Sequence, residues 1–112
     1  MEKVYLSGPI TGTKDYIERF WAAEEKISKA GGWAVNPVTL INEIEVKSKK
    51  KLSWAECLRY CFDAIEECDS IYMLAGWENS KGAALEFKYA QALNKKFMFE
   101  ESSDLKEEVC QG

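Results

Sequence analysis

Short apolar runs alternate along the chain with longer segments in which apolar residues recur every three or four positions. The short runs are rich in β-branched and aromatic side chains and predict strands at residues 3–7, 33–36, 70–74 and 97–99. Glycine or proline follows the first two runs and ends them. The third run is apolar almost throughout, which is typical of a central strand that is covered on both faces.

The longer segments predict three helices. The first covers about residues 15–30 and has Asp15 in position to cap it. The second begins at residues 53–56, where Ser-Trp-Ala-Glu has the pattern of a capping box. The third covers about residues 81–94. Residues 38–52 are polar and rich in lysine, and we predict that they form the longest loop of the chain.

Strands that alternate with helices imply right-handed crossovers and a parallel sheet between two layers of helices. We therefore predict one α/β domain over residues 1–112, a flavodoxin-like (Rossmann-like) three-layer sandwich of about four strands in the order 2-1-3-4. The acidic tail from about residue 100 is either flexible or docked on a partner subunit. Ligands bind such sheets beyond the carboxyl ends of the strands, so the loops at 7–12, 36–39 and 76–82 should converge.

The charge of the chain argues against a nucleic-acid partner. The formal net charge is −4, from 19 acidic and 15 basic residues, and its field repels polyanions. Positive charge is concentrated in a lysine run at 47–51, which either steers a phosphate or forms a solvated connection.

The sequence predicts a cytoplasmic protein with no membrane partner. No stretch approaches the roughly 20 apolar residues that span a bilayer, and the N-terminus lacks a signal-peptide core. The cysteines show no CxxC spacing and the chain has no histidine, so we expect neither a metal site nor another cofactor. The cysteines are Cys57, Cys61, Cys68 and Cys110.

Glu86 is the most informative single residue. On the predicted third helix it lies opposite the polar stripe and on the same side as Ala83 and Ala90, which indicates a buried carboxylate. Burial of an unpaired carboxylate is costly, so such a group is usually hydrogen-bonded and often functional. Glu86 is therefore either a functional group or a structural partner of a tyrosine or a backbone amide.

The loops that should converge near Glu86 carry small and hydroxyl-bearing residues. Residues 80–83, Ser-Lys-Gly-Ala, surround the start of the third helix, where free amides suit an anion. Residues 7–12, Ser-Gly-Pro-Ile-Thr-Gly, follow the first strand, and their glycines either allow a phosphate to approach the backbone or serve the turn geometry only. Trp77 either stacks on a nucleobase or covers the edge of the core.

Three motifs together resemble the nucleoside 2-deoxyribosyltransferase superfamily, and more narrowly its small, mostly uncharacterised DUF4406-type branch of phages and bacteria. The motifs are Tyr5-Leu6-Ser7-Gly8-Pro9-Ile10-Thr11-Gly12, Cys68-Asp69-Ser70-Ile71-Tyr72 and Gly76-Trp77-Glu78-Asn79-Ser80-Lys81-Gly82-Ala83-Ala84-Leu85-Glu86 with Tyr89-Ala90. The resemblance covers residues 3 to about 99. It implies that Glu86 is a nucleophile that attacks the anomeric carbon, and that Tyr5 orients it.

Position 80 bears on the substrate that the resemblance implies. The transferases carry an aspartate six residues before the nucleophile, whereas this chain has Ser80. Serine donates to a phosphate that an aspartate would repel, so the chain is more similar to nucleoside 5′-monophosphate N-glycosidases.

Two departures from the family pattern limit the transfer of function. The arginine that the monophosphate hydrolases carry in the first loop would align with Thr11. The aspartate that assists the base would fall near Cys61. Asp63 is the nearest catalytic candidate for that role, although two residues on a helix place it about 200° around the axis.

The sequence thus predicts hydrolysis of the N-glycosidic bond of a (deoxy)nucleoside 5′-monophosphate, with base transfer as a variant. The alternative is a protein that binds a nucleotide without turnover. Resemblance also implies a homodimer or a higher homo-oligomer, with the 38–52 segment and the tail as candidate contacts. The predicted catalytic residues are Glu86, Tyr5 and Asp63, and the predicted substrate-binding residues are Ser7, Gly8, Ile10, Thr11, Gly12, Asn36, Trp77, Ser80 and Gly82.

Overall fold

The computed structural model describes residues 1–100, which form one sheet with helices on both faces. The strands are β1 (Lys3–Ser7), β2 (Trp33–Val35), β3 (Ser70–Met73) and β4 (Lys96–Phe99). The helices are α1 (Tyr16–Lys29), α2 (Pro37–Ser48), α3 (Trp54–Glu67) and α4 (Lys81–Ala92), and a single 3-10 turn covers Trp77–Asn79. All strand pairs are parallel and the order is β2-β1-β3-β4, which confirms the predicted α/β fold and strand order.

The sheet separates two apolar clusters, because alternate residues of a strand face opposite sides. Val4 and Leu6 of β1 pack with α1 on one side, around Phe20. Tyr5 lies on the other side, in the cluster that contains Ile65 of α3 and Ala90 of α4. Ser7 follows Tyr5 by two residues and is fully buried as well. The period of the strand thus directs two hydroxyl-bearing side chains toward α4.

The expectation that residues 38–52 form a loop was wrong, because Pro37–Ser48 is a helix of 12 residues. Asn36 caps it by accepting a hydrogen bond from the Val38 N–H at 2.9 Å, and proline at the first helical position suits the helical φ. Val38 and Ile41 recur at helical spacing and pack against the two core clusters. This packing outweighs the polar composition of the rest of the segment.

The capping box that was predicted at α3 is present. Ser53 Oγ accepts from the Glu56 N–H at 3.1 Å, and Glu56 Oε1 accepts from the Ser53 N–H at 2.8 Å. Asp15 occupies the N-cap position of α1 but makes no side-chain capping bond, so that part of the prediction was wrong. Its φ of −105° and ψ of 26° depart from the extended backbone of a usual N-cap residue.

Glu100 ends the described part of the chain and is held in place. Its Oε1 accepts from the Ala75 N–H at 2.7 Å and from Arg19 Nη2 at 3.2 Å, and Arg19 also donates to the Ala75 carbonyl at 2.7 Å. These bonds join α1 to the ends of β3 and β4. The rest of the predicted tail lies outside the described residues. Within residues 1–100, no helix combines the length and apolar character needed to cross a bilayer.

Candidate active site

A cavity of about 960 Å³ opens beyond the carboxyl ends of β1 and β3, where the order of the strands reverses. Its walls come from the loop after β1, the first turns of α1, one side of α2 and α3, and the N-terminal half of α4. This volume is at the upper end of the range that is usual for small-molecule sites, ~300 to 1,000 Å³. The cavity lies where ligands bind in open parallel sheets.

Glu86 lines this cavity and is 8% exposed. Ser7 Oγ donates to Glu86 Oε1 at 2.6 Å, and Tyr5 Oη donates to Oε2 at 3.0 Å. Each carboxylate oxygen therefore has a fixed donor from β1. Both donors come from the same face of the strand, which holds the carboxyl group in one orientation.

Burial raises the pKa of Glu86 to about 7, although hydrogen bonds from Ser7, Tyr5 and Cys61 favour the ionised form and oppose the rise. Burial and the nearby Glu86 charge raise the pKa of Tyr5 well above its usual value, so its phenol stays a neutral donor. Glu86 is thus a carboxyl group that changes charge near neutral pH. With such a pKa, a substantial fraction of the carboxyl group is ionised at neutral pH even though the site is shielded from water. The ionised form is the one that can act as a nucleophile or a base.

The N-terminus of α4 forms another wall of the cavity. Ser80 Oγ accepts from the Ala83 N–H at 3.2 Å, and the Ser80 carbonyl accepts from Ala84 at 2.8 Å. The amides of Lys81 and Gly82 precede the first intrahelical bond. They carry the positive end of the helix dipole at the cavity wall.

Gly8 allows the ends of β1 and β3 to approach each other at the floor of the cavity. A Cβ built on Gly8 would lie 2.7 Å from the Cβ of Leu74, which is closer than real side chains approach. The Leu74 N–H donates to the Ser7 carbonyl at 2.7 Å at the same point. A glycine is therefore required here by packing, and it also leaves backbone accessible in the cavity wall.

Comparison with known proteins gives the chain a family. Residues 2–99 match the family described as a domain of unknown function, DUF4406. The chain belongs to the DUF4406 family. This confirms the branch that the sequence motifs indicated. No protein among the curated sequences matches the chain.

The fold of this DUF4406 protein is similar to that of a CMP N-glycosidase from Clostridium botulinum, BcmB. The TM-score is 0.59 and the identity is 21%, over 88% of this chain and 67% of the other. At this identity the likeness shows the fold alone. It agrees with the parallel sheet and helix layers described above.

The structure of the DUF4406 chain brings most of the predicted site residues to the cavity. Those that line it are Gly8, Ile10, Thr11, Ser80, Gly82 and Glu86. Tyr5 and Ser7 lie behind Glu86 and contact its carboxylate. Gly12 has a φ of 80° and serves the turn after β1, and it does not line the cavity.

Three further predicted residues, Trp77, Asn36 and Asp63, also lie outside the cavity lining. Trp77 stacks on Phe87 with ring centroids 4.5 Å apart and belongs to the edge of the core, as its alternative interpretation stated. Asn36 is buried and engaged on both sides, because it caps α2 and donates to Glu24 Oε1 at 3.1 Å. Asp63 is exposed on α3, away from the cavity.

Cys61 on α3 lies near the position at which the resemblance led us to expect a second acid. Its side chain lines the cavity, and burial raises the pKa of the thiol to about 12. A thiol with this pKa stays protonated at neutral pH, so it can donate a hydrogen bond to Glu86 but cannot act as a base there.

Several cavity residues were not among the predicted site residues. They are Trp54 at the start of α3, Glu45 and Asn42 on α2, Lys51 in the connection to α3, and Asn79 and Lys81 next to the N-cap of α4. Lys81 Nζ lies 5.2 Å from the centroid of the Trp54 ring, which is 51% exposed. A sequence signal for Glu45 did exist, because Asn36-Pro37 is a typical start of a helix. On a helix that starts there, Glu45 lies on the same side as Val38 and Ile41.

Proposed function

We propose that this DUF4406 protein cleaves the N-glycosidic bond of a nucleoside 5′-monophosphate, with Glu86 as the nucleophile. The observation that carries the proposal is the Glu86 carboxylate, which is buried, lines a cavity of nucleotide size and is oriented by Ser7 and Tyr5. A carboxylate that served only to satisfy two hydroxyl groups would have no reason to face a cavity of about 960 Å³.

The reaction begins with attack of a Glu86 oxygen on C1′ of the sugar. The bond from C1′ to the base nitrogen breaks, and its electron pair leaves with the base. The transition state has oxocarbenium character, so a negative carboxylate next to C1′ stabilises it. Tyr5 and Ser7 hold the carboxylate in place without neutralising it, because both are uncharged donors.

The second step resolves the sugar ester that the first step leaves on Glu86. Water attacks C1′, the ester bond breaks, and Glu86 is regenerated together with the sugar 5-phosphate. The proton that the water loses balances the one that the departed base takes up, so the net reaction is addition of water across the N-glycosidic bond. Two displacements at the same carbon give net retention of configuration. If a second base enters in place of water, the same intermediate leads to base transfer.

The N-terminus of α4 is suited to the 5′-phosphate. The Ser80 hydroxyl and the amides of Lys81 and Gly82 are donors on one wall of the cavity, within two turns of Glu86. Lys81 adds a positive charge at the mouth of the cavity. The exposed face of Trp54, at the same mouth, is suited to stacking with a base or a ribose edge. The fold likeness to a CMP N-glycosidase agrees with a nucleotide substrate.

The alternative function is capture of a nucleotide without turnover. The observation in its favour is Cys61, because a neutral thiol lies near the position where the resemblance led us to expect a second acid. Thr11 also lacks the positive charge of the phosphate-binding arginine that the resemblance leads one to expect. Capture would use the same cavity, and release of base separates the two functions.

The test is base release from a panel of ribo- and deoxyribonucleoside 5′-monophosphates and the matching nucleosides, followed by chromatography. We expect the wild type to release base from monophosphates in preference to nucleosides. Glu86→Gln should lower the rate by on the order of 10³-fold or more. Glu78→Gln is the matched control, because Glu78 is exposed outside the cavity. Binding without release by the wild type would contradict the enzyme proposal and leave capture.

We also infer that the protein is a homo-oligomer in which a second copy covers the mouth of the cavity. Ile17 and Trp21 lie one turn apart on α1 and are 46% and 66% exposed. Ile17 also lines the cavity, so this apolar surface is continuous with the site. A second copy that packed on Ile17 and Trp21 would bury them and shield the site from bulk water, while the one water that the second step consumes still enters.

A further inference from the structure

Glu45 is a second carboxylate in the cavity to which no function has yet been given. Among residues 1–100, the carboxylates that line the cavity are Glu86 and Glu45. Glu45 comes from α2, the helix on the wall opposite α4. During the proposed reaction Glu86 is bonded to the sugar, so Glu45 is the carboxylate that remains available to the base.

Glu45 is held in a defined position. Its Oε2 accepts from the Leu52 N–H at 2.9 Å, which ties α2 to the segment that leads into α3. Glu45 is half-buried, and its other oxygen has no hydrogen-bond partner among the described residues. The carboxylate is therefore fixed by one oxygen and has acceptor capacity on the other.

The positions of the two carboxylates differ along α3. Glu86 interacts with Cys61, whereas Glu45 is close enough to Cys57 to raise the pKa of that thiol, an effect that comes after burial. Cys57 and Cys61 are one helical turn apart, about 6 Å along the axis at ~1.5 Å per residue. Glu45 and Glu86 thus act on thiols one turn apart on α3 and line the same cavity.

We propose that Glu45 contacts the leaving base and selects bases that present an amino group over those that present a carbonyl at the same position. This inference rests on the proposed function, because it assumes that C1′ lies at Glu86 and the 5′-phosphate at α4. With the sugar and the phosphate so placed, the remaining walls of the cavity are the loop after β1, the first turns of α1, α2 and the start of α3, and among these Glu45 is the one carboxylate in the described residues.

The selectivity follows from the hydrogen-bonding properties of a carboxylate. An ionised carboxylate accepts hydrogen bonds and donates none, so it pairs with an amino group and opposes a carbonyl oxygen. A carbonyl there would leave two acceptors facing each other in a partly buried site. The amides of Asn42 and Asn79 do not distinguish in this way, because each offers both donors and an acceptor.

Lys51 is the competing group at this end of the cavity. It lines the cavity, and its charge lowers the pKa of Cys57, so it lies near the same thiol as Glu45. An ammonium group donates only and would favour a carbonyl-bearing base. The two assignments therefore predict opposite base preferences for the same site.

The experiment compares matched substrates that differ in this group and in the adjacent ring nitrogen, which carries a hydrogen only in the carbonyl member. The pairs are cytidine against uridine 5′-monophosphate and adenosine against inosine 5′-monophosphate, with kcat/KM as the readout. We expect the wild type to prefer the amino member of at least one pair by about tenfold or more. Glu45→Gln keeps an acceptor for Leu52 but adds a donor, and it should reduce the preference to within about threefold. Glu43→Gln, an exposed change on the same helix, should leave it intact.

Binding constants for the same pairs, measured by calorimetry on Glu86→Gln protein with and without Glu45→Gln, separate this inference from the proposed function. If the wild type releases no base but Glu45 sets the binding preference, the glycosidase proposal fails and the inference stands. If base is released and Glu45→Gln leaves the preference unchanged, the inference is overturned and the glycosidase stands. A preference for the carbonyl member would also overturn it and assign this end of the cavity to Lys51. Absence of binding to every nucleotide would contradict both.

Discussion

At the scale of the residue, the chemistry depends on how Glu86 balances burial against hydrogen bonding. Burial favours the neutral acid, whereas donors on both carboxylate oxygens favour the ion, and the result is a pKa of about 7. A substrate that carries a developing positive charge at C1′ would favour the ion further. Glu86 is therefore able to exist as a neutral acid in the empty site and as a carboxylate during reaction.

This balance predicts a pH dependence of the proposed activity. Because only the ionised form attacks C1′, kcat/KM should rise with pH through a midpoint near 7. Ser7→Ala removes the donor at 2.6 Å that favours the ion, so the midpoint should move to higher pH. The measurement is a pH profile of base release for both proteins.

The matched control for that profile is Ser28→Ala, an exposed change on α1 that should leave the midpoint unchanged. A wild-type midpoint near the ordinary glutamate value of 4.5 would show that burial does not govern Glu86. An unchanged midpoint in Ser7→Ala would show that this hydrogen bond does not stabilise the ion.

At the scale of the element, local sequence signals correctly predicted the strands and helices in which one hydrophobic periodicity dominates. Alternation and β-branched residues located the four strands to within about one residue, and the capping box located the start of α3. The order 2-1-3-4, predicted as that of a flavodoxin-like sheet, was confirmed. Helix α2 was missed although Asn36-Pro37 signals its start, because its apolar face is narrow and lysines follow it. That face packs against both core clusters.

The candidate site was predictable in part for the same reason. The helical wheel identified Glu86 as buried, and the resemblance supplied Tyr5. Ser7 was predicted to bind substrate in the first loop, whereas its hydroxyl donates to Glu86. No local signal could decide which loop side chains face the cavity. The 3-10 turn after β3 places Trp77 against Phe87, so its ring does not line the cavity. The side chain of Asn36 caps α2 and is not available to a ligand. Glu45 was overlooked because its helix was overlooked.

At the scale of the whole molecule, the exposed apolar side chains of α1 adjoin the cavity through Ile17, and this is where we expect a second copy. Trp21→Glu places a charge in the proposed contact and should shift the sedimentation coefficient toward that of the monomer. It should also lower kcat/KM for the proposed reaction if the partner excludes water from the site. Sedimentation velocity over a range of concentrations makes the measurement.

The control for the oligomer is Trp33→Glu, since Trp33 is 58% exposed on β2 but does not line the cavity. The Trp33→Glu protein should have the same sedimentation coefficient as the wild type. A wild type that sediments as a monomer at all concentrations, or a Trp21→Glu protein that keeps the wild-type mass, would contradict the proposed contact.

The central claim is that Glu86 forms a covalent bond with the sugar, and trapping that bond is its most direct test. A 2′-fluoro-arabino nucleoside 5′-monophosphate carries an electron-withdrawing group that destabilises the oxocarbenium-like transition state and slows both steps. With a good leaving base, the ester should accumulate and appear in the intact mass of the protein. We predict one fluorinated sugar phosphate per chain, located on Glu86 by peptide mapping and absent from Glu86→Gln. Release of base with no adduct on the wild type, or an adduct on another residue, would contradict the account.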